Sequence, residues 1–163
     1  MKTQSLNLFI VDNSMSAIKE LKEHLLNRFG EGIRIEAFNN SKSCLEKVDE
    51  TTNIVVLNNH LKGENDIEVL QSIKEINPNT EVIVLSEEED IAQAVDSYRA
   101  GAKGIVIRGS DSGRRVAKLI TRIFTAPIRI IEKELGLSQR IAIFIMSFLT
   151  VGAIVLLYFI FFK

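Results

Sequence analysis

The sequence contains a single cysteine, Cys44, so no disulfide can close within the chain, and a reducing compartment fits. No secretory signal is expected either. The first apolar run, Leu8 to Val11, ends at Asp12 and is too short for a signal-peptide core, so the N-terminus is not expected to be exported. No internal repeat or low-complexity stretch interrupts the chain. Positive charge is scarce in the first two thirds: residues 1–107 carry 11 Lys/Arg against 18 Asp/Glu, whereas residues 108–163 carry 9 against 3. The acidic part argues against a nucleic-acid surface. A basic part leading into an apolar tail suits a domain held against an anionic membrane face.

Charge is absent altogether from Ile141 to Phe162, and 15 of these 22 residues are Leu, Ile, Val or Phe. As a helix the run would be about 33 Å long, enough for a hydrocarbon core of about 30 Å. Buried helices of soluble domains are usually shorter and amphipathic, so residues 141–162 read as one transmembrane helix. The run contains no G-x-x-x-G pair and gives no strong dimerisation signal. Arg129, Lys133 and Arg140 precede it and only Lys163 follows, which predicts a cytoplasmic N-terminal part.

Residues 6–125 alternate two patterns. Leu8 to Val11, Ile54 to Leu57, Val82 to Leu85 and Ile105 to Ile107 are continuous apolar runs, the habit of strands buried on both faces of a parallel sheet. Ile33 to Phe38 alternates and reads as an edge strand. Between them lie helical stripes: Ile18, Leu21, Leu25 and Phe29; Cys44, Leu45 and Val48; Leu70, Ile73 and Ile76; Ile91, Ala94, Val95 and Tyr98; Val116, Leu119, Ile120 and Ile123. Ser14, Ser41 and Ser110 are plausible helix caps, and turns are expected at Gly30, Asn77 to Asn79 and Gly101. Five strands alternating with five helices predict a doubly wound α/β fold, with its crevice beyond the carboxyl ends of the strands. Those ends deliver Asp12 and Asn13, Asn58 to His60, Ser86 and Glu87, and Arg108 and Gly109.

Ordered this way, Ile10 to Asn13, Asn58 to Gly63, Ile67 to Lys74, Val84 to Ser86 and Gly101 to Gly104 resemble the receiver domain of bacterial two-component response regulators, over residues 6 to about 124. The resemblance implies a flavodoxin-like sheet of order 2-1-3-4-5. It also implies phosphoryl transfer from a histidine kinase to an aspartate, supported by Mg²⁺, a lysine and a hydroxyl residue. Here the pattern departs from the family. Asn58 stands at the acceptor position, Asn13 replaces one of two metal-binding acids, and Arg108 replaces the lysine, leaving Asp12 and Ser86. A neutral amide oxygen is a poor nucleophile, and one carboxylate with two amides is a weak Mg²⁺ site. A guanidinium is bulkier and flatter than the ammonium it replaces. The expectation is a degenerate pocket of Asp12, Asn13, Asn58, Ser86 and Arg108 with no catalytic residue, no cofactor and at most weak Mg²⁺ binding. An Asp12–Arg108 pair would then fix one pocket conformation without metal.

Simpler readings stand beside these. Asp12 to Ser14 could only cap a helix, and Asn58 and Asn59 could only form a turn. His60 reads as an incidental loop histidine, His24 as a solvated one, and Cys44 as a small core residue. The run Glu87 to Asp90 suits a helix start better than an acidic docking patch. Tyr98 reads as packing. The connector, residues 126–140, is basic and amphipathic. It could lie along lipid headgroups or continue the fifth helix.

The organisation expected is therefore a receiver-like domain over 1–125, the connector over 126–140 and the membrane helix over 141–162. The chain would be a non-enzymatic, single-pass module at the cytoplasmic face of the bacterial inner membrane. Its partners would be proteins, through residues 90–125 by the resemblance, with a homodimer also open. The alternatives are a single-domain regulator that takes phosphate inefficiently, on Ser86 or His60, as a switch or phosphate sink, and an architectural subunit whose tail helix does the essential work.

Overall fold

The computed structural model describes residues 5–61, 65–87, 91–135 and 147–148. Five strands, β1 (Leu6–Val11), β2 (Ile33–Phe38), β3 (Ile54–Asn58), β4 (Glu81–Ser86) and β5 (Ala102–Ile107), form one parallel sheet in the order β2-β1-β3-β4-β5. The helices α1 (Met15–Phe29), α2 (Ser41–Leu45), α3 (Asp66–Ile76), α4 (Ile91–Arg99) and α5 (Ser112–Leu135) alternate with them. Central β3 is buried at all five residues, and the edge strand β2 alternates. That contrast follows from helices covering both faces of a central strand.

Strand alternation divides the core. Phe9, Val11, Val55, Leu57, Val82 and Val84 pack with Phe38, Cys44, Leu70 and Ile73 in one cluster, where the Phe9 and Phe38 rings meet edge-on at 5.1 Å. Leu8, Ile10, Ile54, Val56 and Ile83, one residue out of phase, are buried on the opposite face. Cys44 belongs to this core, where burial first and the nearby Glu36 charge second push its thiol up to about 12.

Turn chemistry closes the elements. Gly30 caps α1 with φ +56°, and Gly101 precedes β5 with φ +103°, backbone angles that side chains rarely adopt. Ser14 does cap α1, accepting from the Ala17 N–H at 3.4 Å. The second helix is capped instead by Asn40, whose Oδ1 accepts from the Ser43 N–H at 2.9 Å, so Ser41 lies inside it. α5 starts at Ser112, one residue later than a Ser110 cap would place it.

Two stripes differ from expectation. Ile76 is 48 % exposed at the end of α3. In α4, Val95 and Tyr98 are 41 % and 56 % exposed, and the buried residue is Ser97, so Tyr98 is not a packing residue. On α4 Ser97 is thus turned inward while Val95 and Tyr98 face out. The first turn of α4 carries no acid; Glu87 lies before it, and Glu88 to Asp90 lie outside the described residues.

By internal packing the chain divides into two units, Met1–Leu119 and Ile120–Lys163. Within the second, the α5 helix carries on through the start of the connector to Leu135. Among the described residues no helix is long and apolar enough to cross a membrane. The span expected at 141–162 lies outside them except for Ser147 and Phe148, which are helical and exposed.

Candidate functional site

The carboxyl ends of β1, β3, β4 and β5 converge as a parallel sheet requires. Backbone bonds hold the loops there: Asp12 N–H donates to the Phe38 carbonyl at 3.1 Å, Asn59 N–H to Leu85 at 2.9 Å, and Arg108 N–H to Ser86 at 2.6 Å. Asp12, Asn58, Asn59 and Ser86 are all buried.

Asp12 is the only carboxylate among the five expected pocket residues, and its oxygens are committed. An Nη of Arg108 lies 2.6 Å from its Oδ2, while the Ser14 N–H donates to Oδ1 at 2.9 Å and the Asn58 amide to the same atom at 3.4 Å. Charge-assisted bonds of that length are the strong ones. The Arg108 Nε is 3.9 Å from Glu87, an electrostatic approach too long for a hydrogen bond, and among the described residues it has no hydrogen-bond partner. Arg108 thus joins the end of β5 to the end of β1 and to the loop after β4.

Asn13 stands apart from Asp12: it is exposed, and its amide donates to the His60 carbonyl at 3.1 Å. His60 itself is exposed and enters the site through its backbone alone. His24 is exposed as expected and lines a groove of about 550 Å³ between α1 and the β5–α5 loop, together with Glu20, Arg108, Asp111 and Arg114.

Asn59, read from sequence only as a turn former, does more. Its amide nitrogen donates to Ser86 Oγ and to Gln93 Oε1 of α4, each at 3.0 Å, while its own Oδ1 is buried without a partner among the described residues. The signal that could have found it is the period of two at a strand end: Asn58 and Asn59 must point to opposite sides, one toward Asp12 and the other toward Ser86.

A divalent cation fits poorly here. Such ions need several anionic or carbonyl oxygens turned toward one point. The pocket offers one carboxylate already held by a guanidinium, two carboxamides, and a His60 carbonyl taken by Asn13. Among the described residues no cluster of three His, Cys, Asp or Glu could hold a metal.

The model of the response regulator receiver domain matches residues 8–120. The transcriptional regulatory protein ZraR of Klebsiella oxytoca is 30% identical over 112 residues, covering 68% of this chain and 25% of ZraR. The chemotaxis protein CheY of Thermotoga maritima is 27% identical over 113 residues, covering 69% of this chain and 92% of CheY. Among solved structures, the Thermotoga maritima response regulator DrrB superposes with a TM-score of 0.66 at 24% identity, over 76% of this chain and 54% of DrrB. The chain thus spans about a quarter of ZraR and about half of DrrB. Residues 8–120 make this chain a member of the response regulator receiver domain family.

Proposed function

We propose that the chain is a pseudo-receiver: a membrane-anchored, non-enzymatic signalling or scaffold module that binds protein partners and does not undergo aspartyl phosphorylation. The observation that carries this reading is Arg108 seated on Asp12 at 2.6 Å, with a carboxamide, Asn58, where the family places its acceptor. Acceptance of a phosphoryl group needs an anionic oxygen, and the Asn58 side chain has none. The Mg²⁺ that the family implies would have to displace a guanidinium already matched to the one carboxylate.

Receiver domains act through other proteins, and the exposed Val95 and Tyr98 of α4 give residues 90–125 an apolar element for such a partner. The uncharged run 141–162 supplies the anchor, and the basic residues before it favour the cytoplasmic face of the inner membrane. Val151→Arg together with Val155→Arg, at about 3 kcal/mol for each mid-span arginine, should release the chain into the soluble fraction, whereas either alone is tolerated.

The phosphorylation test is direct. The full chain in detergent is incubated with acetyl phosphate and Mg²⁺ and analysed by mass spectrometry before and after hydroxylamine. No adduct is expected. A hydroxylamine-sensitive gain of one phosphoryl group would defeat the proposal, and an acid-stable one on Ser86 or His60 would favour the inefficient-regulator alternative.

A further inference from the structure

α5 begins against a local rule. The positive end of a helix dipole favours acids, yet its first turn has none and instead carries Arg114 and Arg115. Arg114, Arg115, Lys118 and Arg122 are all exposed. At 3.6 residues per turn they fall within an arc of about 100°, opposite the buried Val116 and Ala117. Among the described residues only Arg115 of these four has a carboxylate within ion-pairing distance, Asp111 at 2.8 Å. Glu20 and Glu23 share a groove with Arg114 and offset part of its charge. Lys118 and Arg122 lie farther along the helix, and Arg129 and Lys133 repeat the same spacing in the sequence. No acid occurs in α5 before Glu132.

The rest of the chain says what such a face meets. Residues 136–140 separate the end of α5 from the uncharged run at Ile141, a gap of about 20 Å even when fully extended. Lys118 lies a further 17 residues back, about 26 Å of helix, so in an anchored chain the basic face can reach the headgroups at high effective concentration. Cations near an anionic leaflet gain affinity of about fivefold each, which falls away within a Debye length of about 8 Å.

We propose that the basic face of α5, centred on Lys118, docks the receiver domain onto anionic lipid headgroups. The inference rests on the anchoring reading but is separable from it. Its test uses the full chain reconstituted into phosphatidylcholine vesicles with and without phosphatidylglycerol. The rate at which Lys118 is acylated by an amine-reactive ester is followed by mass spectrometry, with the exposed Lys19 of α1 as internal reference. Docking predicts that Lys118, relative to Lys19, reacts several-fold more slowly with phosphatidylglycerol present. The difference should vanish in about 1 M salt, where the Debye length is about 3 Å. It should also vanish in a variant carrying Arg114→Glu, Arg115→Glu and Arg122→Glu. Equal rates in both vesicles would overturn the proposal and leave an acidic protein as the partner for this face. Failure to sediment with pure phosphatidylcholine would instead remove the anchor, while Lys118 protection on the anionic vesicles would still decide docking.

Discussion

Replacing Arg108 by Ala tests how much of the pocket depends on one ion pair. At 2.6 Å and an effective dielectric of about 20, the gross attraction between Asp12 and Arg108 is about 6 kcal/mol. Desolvation cancels much of it, because the Asp12 side chain is 3% exposed. Arg108, at 27% exposure, keeps part of its hydration, which lowers both the cost of burial and the gain from pairing. Removing the cation strands a buried carboxylate that retains the Ser14 N–H and the Asn58 amide. The expected loss is therefore about 2–3 kcal/mol, below the range for a fully buried pair. Asp12→Asn should cost about 1 kcal/mol, since Arg108 can turn to Glu87 and water. The double variant should lose about 2 kcal/mol, less than the roughly 3.5 kcal/mol of the two single losses added together, giving a coupling of about 1.5 kcal/mol in a double-mutant cycle. Urea unfolding of the full chain in detergent, followed by far-ultraviolet circular dichroism, measures all four corners. A coupling below about 0.5 kcal/mol would refute the idea that this pair locks the pocket.

Asn59→Leu removes both bonds from its amide, to Ser86 and Gln93, and amide exchange across α4 should accelerate about tenfold relative to α3; unchanged α4 protection would show that the tether carries no free energy. A Cβ on Gly104 would run into the Leu119 side chain, so Gly104→Ala should cost about 1–2 kcal/mol in thermal unfolding, and Leu119→Ala beside it should return part of that. Asp49 is held below the usual carboxylate range, chiefly by the Thr51 hydroxyl at 2.7 Å and then by the Thr51 N–H. A depressed folded value contributes stability above the ordinary carboxylate range and loses it as pH falls through that value. Thr51→Val should therefore raise the Asp49 midpoint in an NMR titration, and an unmoved midpoint would rule the hydroxyl out as the cause.

Strands were the most legible part of the fold, because burial on both faces leaves uninterrupted apolar runs. β5 was read short at its start for a physical reason. Lys103 and Gly104 break the run, yet Lys103 faces Glu81 of β4 at 3.0 Å, and Gly104 admits Leu119. The Asp12–Arg108 pair was legible because a parallel sheet delivers its strand ends to one crevice, whereas Asn13, next to Asp12 in sequence, is exposed and turned to the His60 carbonyl. α4 was misread because Ala94, Val95 and Tyr98 have core spacing. Periodicity reports that a helix has an apolar side, not which side the fold turns inward. Here Ser97 is buried and Gln93 accepts from the buried Asn59 outside the helix, contacts that the apolar spacing within residues 91–99 does not report.

The same asparagine bears on how the proposed module would differ from a switch. A switch needs two arrangements separated by only a few kcal/mol, and a ligand that prefers one of them. In this pocket Arg108 joins β1, β5 and the loop after β4, while Asn59 joins β3, the end of β4 and α4. Among the described residues, the ends of β1, β3, β4 and β5 and the helix α4 are tied to one another without phosphate or metal. On the proposed reading, Val95 and Tyr98 are then presented continuously, and partner binding depends on where the chain is rather than on its phosphorylation. That has a measurable consequence. Once a partner is captured, Asn59→Leu should weaken its affinity by loosening α4, by about tenfold if the tether is worth about 1.4 kcal/mol. Acetyl phosphate and Mg²⁺ should leave the affinity of the unaltered chain unchanged. A partner whose affinity moved with acetyl phosphate, but not with Asn59→Leu, would mean that the pocket still switches and that the lock argued from Arg108 and Asn59 is not one.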